Sequence, residues 1–346
     1  MTSSQASREC EVSIVLPTFN RSRFLSEAFQ AIAAQTHSSW KLIVVDDGST
    51  DDTEEVVAAF RSRVCQNVRY VRQPNAGAYA ARNHGLDFAD SPFVAFYDSD
   101  DLWLPHHLDR CVGVLAANND VDWVSGALVR VDAESGATIE PNNHYPGGKL
   151  HPFLRLKSEQ RGDCQVIDDP RSLEKAIVDG FPGNLQMSVF RQHLVSEYRF
   201  DSRYRNGQDR FLVFNVLASR KKVGFLHDTH LIYRVHDSND SLVNCGGGDA
   251  DQSAALKRER ILQSLIAQYR AFADSSLLSK KEIKALDRYI ANTQFWELGY
   301  CLYLASGQVK KARKEFQQAL RLSPFDLKMW KTWLASYLRQ VNLGDR

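Results

Sequence analysis

Apolar and polar positions alternate in blocks along the first third of the chain. Val12 to Leu16 is a short apolar run closed by Pro17, which predicts a buried strand. Phe24, Leu25, Ala28, Phe29 and Ile32 follow at helical spacing. Leu42 to Val45 predicts a second strand, and Asp51, Asp52, Thr53 and Glu54 behind it predict an acidic helix start. Val68 to Val71 predicts a third strand, Ala78 to Phe88 a helix, and Phe93 to Tyr97 a fourth strand. Strand alternating with helix at this interval predicts an α/β fold with a mostly parallel central sheet flanked by helices. Such sheets take their ligands beyond the carboxyl ends of the strands.

The pattern loosens between Trp123 and Val235, where strands are expected at Trp123 to Val131, Met187 to Phe190 and His230 to Val235. Two stretches rich in Pro, Gly and Asn, Asn142 to Leu150 and Ser238 to Asp251, read as mobile. Beyond Asp251 the periodicity becomes that of long amphipathic helices, broken near Ser275, Gly307 and Pro324. The expected organisation is a disordered segment over 1–10, a catalytic domain over 11–245 with halves at about 11–120 and 121–245, and an all-α region over 250–346.

Composition narrows the function classes. With 346 residues, 43% of them hydrophobic, the chain buries one sizeable core and an appendage. Lys and Arg number 43 against 42 acidic residues, and this net +1 lacks the basic excess of a nucleic-acid binder. Cys10, Cys65, Cys111, Cys164, Cys245 and Cys301 form no C-x-x-C pair, so neither a zinc site nor a disulfide framework is expected, and the spacing suits a reducing cytosol. The polar start, Met1 to Glu11, has no apolar signal-like core, and no apolar run is long enough to span a bilayer.

The strand-end rule singles out three polar clusters: Pro17-Thr18-Phe19-Asn20, Asp46-Asp47-Gly48-Ser49 and Asp98-Ser99-Asp100-Asp101. Three carboxylates within four positions repel one another, and a hard divalent cation relieves that repulsion while sharing its other positions with phosphate and water. Taken singly, the last cluster also reads as a cap for the helix begun near Leu104-Pro105, and Asp-Gly also reads as turn chemistry.

Together the blocks are more specific. Val12 to Arg21 (V-S-I-V-L-P-T-F-N-R), Val44 to Thr53 (V-V-D-D-G-S-T-D-D-T), Asn75 to Asn83 (N-A-G-A-Y-A-A-R-N) and Phe96 to Asp101 (F-Y-D-S-D-D) strongly resemble the family 2 glycosyltransferases, over residues 10 to 240 or so. The resemblance implies the GT-A fold and an inverting transfer from a nucleotide-sugar donor, with a uridine nucleotide expected. It places Pro17, Thr18, Asn20, Asp47, Arg82 and Asp98 around the donor nucleotide, with a structural salt bridge as the other reading of Arg82. Asp98, Asp100 and Asp101 match the metal-binding D-x-D region for Mn²⁺ or Mg²⁺, with Asp98 and Asp100 as the expected metal and ribose contacts. The family's G-E-D block corresponds to Gly207-Gln208-Asp209, so Asp209 is the expected general base, or else a helix cap. Gln208 replaces a glutamate there, which puts any role of that position in doubt. Gly183 to Arg191, with Asn184, resembles the acceptor-side strand, and Tyr233 to Ser238 with Ser241 resembles the late Y-R-x-H-x-x-S block. In that block Arg234 or His236 is expected over the diphosphate, with the His236 imidazole completing the metal shell or else serving as a structural histidine.

The stretch from Leu298 to Pro324 resembles one tetratricopeptide-like helix pair, which cannot bury its own face. Trp330, Trp333, Leu334, Tyr337 and Leu338 line one side of the last helix; packing on neighbouring helices and contact with a partner or membrane surface are both open. A carbohydrate, lipid-linked or other hydroxyl acceptor is expected, with no nucleic acid, at a cytoplasmic location that includes the inner face of the membrane. The rival reading is a catalytically silent GT-A scaffold that acts through its helical tail. A nucleotidyltransferase is excluded because Thr18-Phe19-Asn20-Arg21 has no glycine to hold triphosphate, and a nicotinamide enzyme because no G-x-G-x-x-G follows a strand.

Overall fold

The computed structural model describes residues 11–204, 206–236, 252–274 and 278–341. The segments read as disordered at 1–10 and mobile over 238–251 lie outside these residues, as do Ser241 and the side chains of Tyr337 and Leu338. The chain divides into two compact units, the first ending at His236 and the second described from residue 252 on.

The first unit is built on an eleven-stranded sheet. Its strands are β1 (Val12–Thr18), β2 (Trp40–Asp46), β3 (Val68–Arg72), β4 (Phe93–Phe96), β5 (Leu102–Trp103), β6 (Val121–Asp132), β7 (Thr138–Glu140), β8 (Ser158–Arg161), β9 (Cys164–Ile167), β10 (Ser188–Arg191) and β11 (Lys222–Val235). They run in the order β3-β2-β1-β4-β10-β6-β11-β9-β8, with β7 on β6 and β5 on β11. The first four are mutually parallel where they pair, whereas β10 lies antiparallel between β4 and β6. All seven residues of β1 are buried, as expected of a central parallel strand covered on both faces.

Two helices cover β1. Leu25, Ala28, Phe29 and Ile32 of α1 (Ser22–Ala33) share one core with Val12, Ile14 and Leu16. α2 (Thr53–Arg61) follows β2, and α3 (Ala78–Leu86) follows β3. A Cβ built at Gly85 of α3 would lie 2.4 Å from Val15 Cγ1 and 3.2 Å from Val45 Cγ2. Glycine therefore sets how closely α3 approaches the sheet.

The remaining helices of this unit are α4 (His107–Ala117), α5 (Ser172–Asp179), α6 (Gln192–Glu197) and α7 (Gln208–Ala218). The stretch 142–150, expected to be mobile, is tied down instead. Asn143 Oδ1 accepts from the Leu128 amide at 2.8 Å, Asn142 Nδ2 donates to the His227 carbonyl at 2.9 Å, and His144 is fully buried.

The second unit is helical: α8 (Gln252–Ala273), α9 (Lys280–Asn292) with a π-wound continuation over Thr293–Leu304, α10 (Val309–Leu322) and α11 (Leu327–Val341). Ser279 and Glu282 form a capping box at the start of α9. Phe295 stacks on Phe316 at 4.2 Å, and Gly299 lets Phe316 approach, since a Cβ there would meet its ring at 2.7 Å. Phe325, Leu327 and Leu334 are exposed. Among the described residues no helix is long and apolar enough to cross a membrane.

Candidate active site

β2 and β4 flank β1, so their C-terminal loops open on either side of Thr18. The two loops use their carboxylates differently. Asp46 accepts from the Ser49 amide at 2.7 Å and from the Tyr70 hydroxyl at 2.5 Å. Asp47 accepts from Gln73 Nε2 at 2.7 Å and from the Ala76 and Gly77 amides, both at 2.8 Å. Gln73 Oε1 in turn meets His84 Nδ1 at 2.8 Å. Asp47 thereby ties the loop that opens α3 to the end of β2, and it is only 3% exposed. Asn20, at a φ of 50°, accepts from the Thr50 amide at 2.8 Å and donates its own amide to Ser49 Oγ at 2.9 Å, which joins the first two strand-end loops. Pro17 pairs opposite Val45 one position before the β1 ladder ends at Thr18, and Thr18 Oγ1 is buried with no hydrogen-bond partner among the described residues.

The loop after β4 gathers cations. Arg82 of α3, itself buried, donates through Nη2 to Asp98 Oδ1 at 2.7 Å, and Gln186 Nε2 caps Asp98 Oδ2. Asp100 is ion-paired to Arg21, and His236 Nε2 lies 3.4 Å from its Oδ2. The His236 ring stacks on Phe24 at 5.6 Å with an 18° interplanar angle. Arg234 reaches the same loop from the end of β11: its Nε donates to the Asp100 carbonyl at 2.5 Å, its amide to Asp101 Oδ1 at 3.2 Å, and its guanidinium pairs with Glu27. Burial, and then the neighbouring Asp100 and Asp98 charges, hold the Asp101 carboxyl well above its ordinary range. The loop thus carries more negative charge than its surroundings solvate, which is the condition a divalent cation relieves.

Asp209 sits in the first turn of α7, preceded by Gly207 at a φ of 83°. A left-handed residue costs glycine little, so the helix can start abruptly and aim the carboxylate inward. Oδ1 is buried and has no hydrogen-bond partner among the described residues. Burial raises the Asp209 pKa above 3.8; the Arg82 guanidinium opposes that rise and Asp98 adds to it. A buried, elevated carboxylate with a spare oxygen is suited to take a proton.

The structure brings Arg82, Asp98, Asp100, Asp101, Arg234 and His236 together and sets Asp209 in the electrostatic reach of Arg82 and Asp98. It does not gather the expected metal ligands into one set: among the described residues, Asp98 completes no cluster of three ligand atoms with Asp100 and His236. Asp98 is occupied on both oxygens. Gln208 turns its amide oxygen to the Asp201 amide at 2.8 Å, and Asn184 Oδ1 accepts from the Met187 amide at 3.1 Å; both shape turns. Gln186, Arg21 and Tyr79 were not among the expected site residues. Gln186 is placed against Asp98 only because antiparallel β10 pairs with β4, a contact 88 positions distant in sequence.

Comparison with known proteins bears on the family and the fold. The glycosyl transferase family 2 model matches residues 13–170. An uncharacterized glycosyltransferase of Nostoc, alr2836, is 28% identical over 67% of this chain and 67% of its own length. A UDP-Glc:α-D-GlcNAc-diphosphoundecaprenol β-1,3-glucosyltransferase of Escherichia coli, WfgD, is 35% identical over 31% of this chain and 42% of its own. Several other relatives are matched over only 19% to 25% of their length. Among solved structures, S. aureus TarS 1-349 in complex with UDP-GlcNAc superposes with a TM-score of 0.60 at 16% identity, covering 95% of this chain and 92% of that one. The mannosyltransferase PcManGT of Pyrobaculum calidifontis, solved with GDP-Man and Mn²⁺, gives 0.55 at 16% identity, covering 97% and 87%.

Proposed function

We propose that this chain, whose residues 13–170 match the glycosyl transferase family 2 model and whose fold is that of the GT-A glycosyltransferases, moves a sugar from a UDP-sugar to an acceptor hydroxyl with inversion, and that Asp209 is the base. The observation that carries this reading is the buried, unpartnered Oδ1 of Asp209, noted among the described residues, beside the Arg82–Asp98 pair. The acceptor hydroxyl donates to Oδ1. As its oxygen bonds to the anomeric carbon, the bond from that carbon to the diphosphate breaks, the electron pair leaves on the phosphate oxygen, and the proton passes to Asp209. Tyr79 and Arg82 orient the carboxylate.

Thr18, Asn20, Pro17 and Arg82 form the walls offered to the nucleotide, and Asp47 acts by fixing the 73–77 loop beside them. Arg21 and Arg234 stand at the diphosphate end, on Asp100. The donor set fits Mn²⁺ or Mg²⁺: the Asp100 carboxylate and the His236 imidazole would hold the ion, with the donor phosphates completing its shell. Such an ion supplies Lewis-acid neutralisation of the leaving diphosphate. Asp98, already bonded on both oxygens, serves as the anchor of Arg82.

The acceptor we infer is a lipid-linked or polysaccharide hydroxyl of the cell surface, handled at the cytoplasmic face of the membrane. It is supported by the diphosphoundecaprenol acceptor in the name of WfgD and by the teichoic acid role in the name of Bacillus subtilis GgaB, 23% identical over 74% of this chain. The exposed Phe325, Leu327 and Leu334 support a contact of the helical unit outside itself.

The test is calorimetric titration with UDP, GDP, CMP and dTDP, each with and without Mn²⁺. UDP binding that requires Mn²⁺ is expected. Tight binding of another nucleotide moves the donor class to that nucleotide, and a folded chain that binds none of the four overturns the donor assignment.

A further inference from the structure

Three groups that no step above uses meet in the interior of the first unit. His107 and Cys111 lie four residues apart on α4, so both side chains leave one helix face. His230 comes from β11, where the register slips on either side of Thr229 and the strand bends. All three are fully buried.

Their polar atoms form a tight triangle. His107 Nδ1 and His230 Nδ1 are 3.1 Å apart, and Cys111 Sγ is 3.9 Å from the first and 3.8 Å from the second. Around zinc, with bonds of about 2.0 Å to nitrogen and 2.3 Å to sulfur, tetrahedral geometry separates two nitrogens by about 3.3 Å and nitrogen from sulfur by about 3.6 Å. The observed edges match within a few tenths of an ångström.

A single N–H···N bond between the imidazoles would account for the shortest edge alone. It leaves unexplained the thiol facing both nitrogens and the group behind His230. There Asp228 Oδ1 lies 3.4 Å from His230 Nε2, the carboxylate-behind-imidazole arrangement that orients metal-bound histidines. Asp228 is itself held by Arg110 at 3.5 Å and His106 at 3.4 Å. Space for the ring is built in: a Cβ at Gly126 of β6 would lie 2.2 Å from His230 Cγ.

We propose that His107 Nδ1, Cys111 Sγ and His230 Nδ1 bind one zinc ion. Burial keeps both imidazoles neutral, the ligand form, by holding them below their ordinary range. Burial also raises the Cys111 thiol, so binding breaks the S–H bond, forms S–Zn and releases one proton, with no change of oxidation state. Buried Cys164 is close enough to raise that thiol further, but it is not one of the three ligands. The ion fastens α4 to β11. Leu104, at the exit of β5, already donates its amide to the His230 carbonyl at 2.9 Å, and β11 continues to Arg234 and His236. It therefore braces the strand that delivers both residues to Asp100.

The experiment is to produce the full chain in minimal medium with Co²⁺ in place of zinc, remove loosely held ions with EDTA, count metal per chain and record the absorption spectrum. One Co²⁺ per chain with a thiolate-to-cobalt charge-transfer band is expected, and stoichiometric Zn²⁺ should abolish the band. Cys111→Ser should lose the ion, whereas Cys164→Ser and Asp100→Ala should each keep it, which separates this site from the donor site. A folded wild-type chain without the band, or a band that survives Cys111→Ser, overturns the proposal.

Discussion

Two acidic loops end the strands on either side of β1, and they look alike in sequence: Asp46-Asp47 after β2, and Asp98 through Asp101 after β4. Their partners differ. The first pair takes its hydrogen bonds from backbone amides and neutral side chains within about thirty residues, with one cation, Arg72, at 4.0 Å from Asp46, so its carboxylates hold loops in place. The second group takes Arg21, Arg82, Arg234 and His236 from three separate places, the start of α1, helix α3 and the end of β11, and charge remains in excess there. A cluster of aspartates at a strand end is thus scaffold when amides satisfy it and chemistry when side-chain cations and burial leave it poised.

Substitution should separate the two loops. The largest effect is expected from Asp209→Asn, which removes the proposed base beside the second loop: kcat should fall by about 10²- to 10⁴-fold while donor affinity by calorimetry is retained. Loss of donor affinity would move Asp209 out of the proton-transfer role. Because burial holds Asp209 above 3.8 and the base works ionised, wild-type kcat/KM should fall as pH drops through that raised value. An acid limb at or below the ordinary carboxylate range would contradict the assignment. Next, Asp47→Ala should cost about 2 kcal/mol in denaturant unfolding, because three hydrogen bonds to a charged acceptor are lost together. Unchanged stability with lost nucleotide binding would make Asp47 a direct ligand instead.

Asp100→Ala should do the reverse, removing the Mn²⁺-dependent part of UDP affinity, about ten-fold or 1.4 kcal/mol, with little change in unfolding. Retention of the metal dependence would shift the ion to other residues. The smallest effect is expected from Tyr70→Phe, about 1 kcal/mol of stability through the bond to Asp46, with transfer kinetics intact.

Much of this was legible in the chain. The seven buried residues of β1, the helical spacing of α1 and the acidic strand ends are local signals, and they located the sheet's first half and the loops that carry the candidate site. What escaped is non-local or weakly patterned. The β8–β9 hairpin begins with the exposed polar run Ser158-Glu159-Gln160 and gives no apolar alternation. Helix α4 does carry Leu108, Cys111, Val112 and Leu115 at helical spacing, and that signal was open to a closer reading. Gln186 could not be assigned in advance, since its place depends on β10 entering the sheet antiparallel beside β4. Likewise the absence of C-x-x-C pairs excluded zinc by spacing alone, whereas the His107, Cys111 and His230 triangle is assembled from two distant segments.

Gly85 has a bearing on how this enzyme could be altered. It lies one turn beyond Arg82 and two beyond Tyr79 on the helix that serves the base, pressed against Val15 and Val45. Even one added methyl would lift that helix from the sheet and shift both residues relative to Asp209. Libraries aimed at new acceptors should therefore leave Gly85 fixed, because altering it trades substrate range for loss of alignment at the reacting centre.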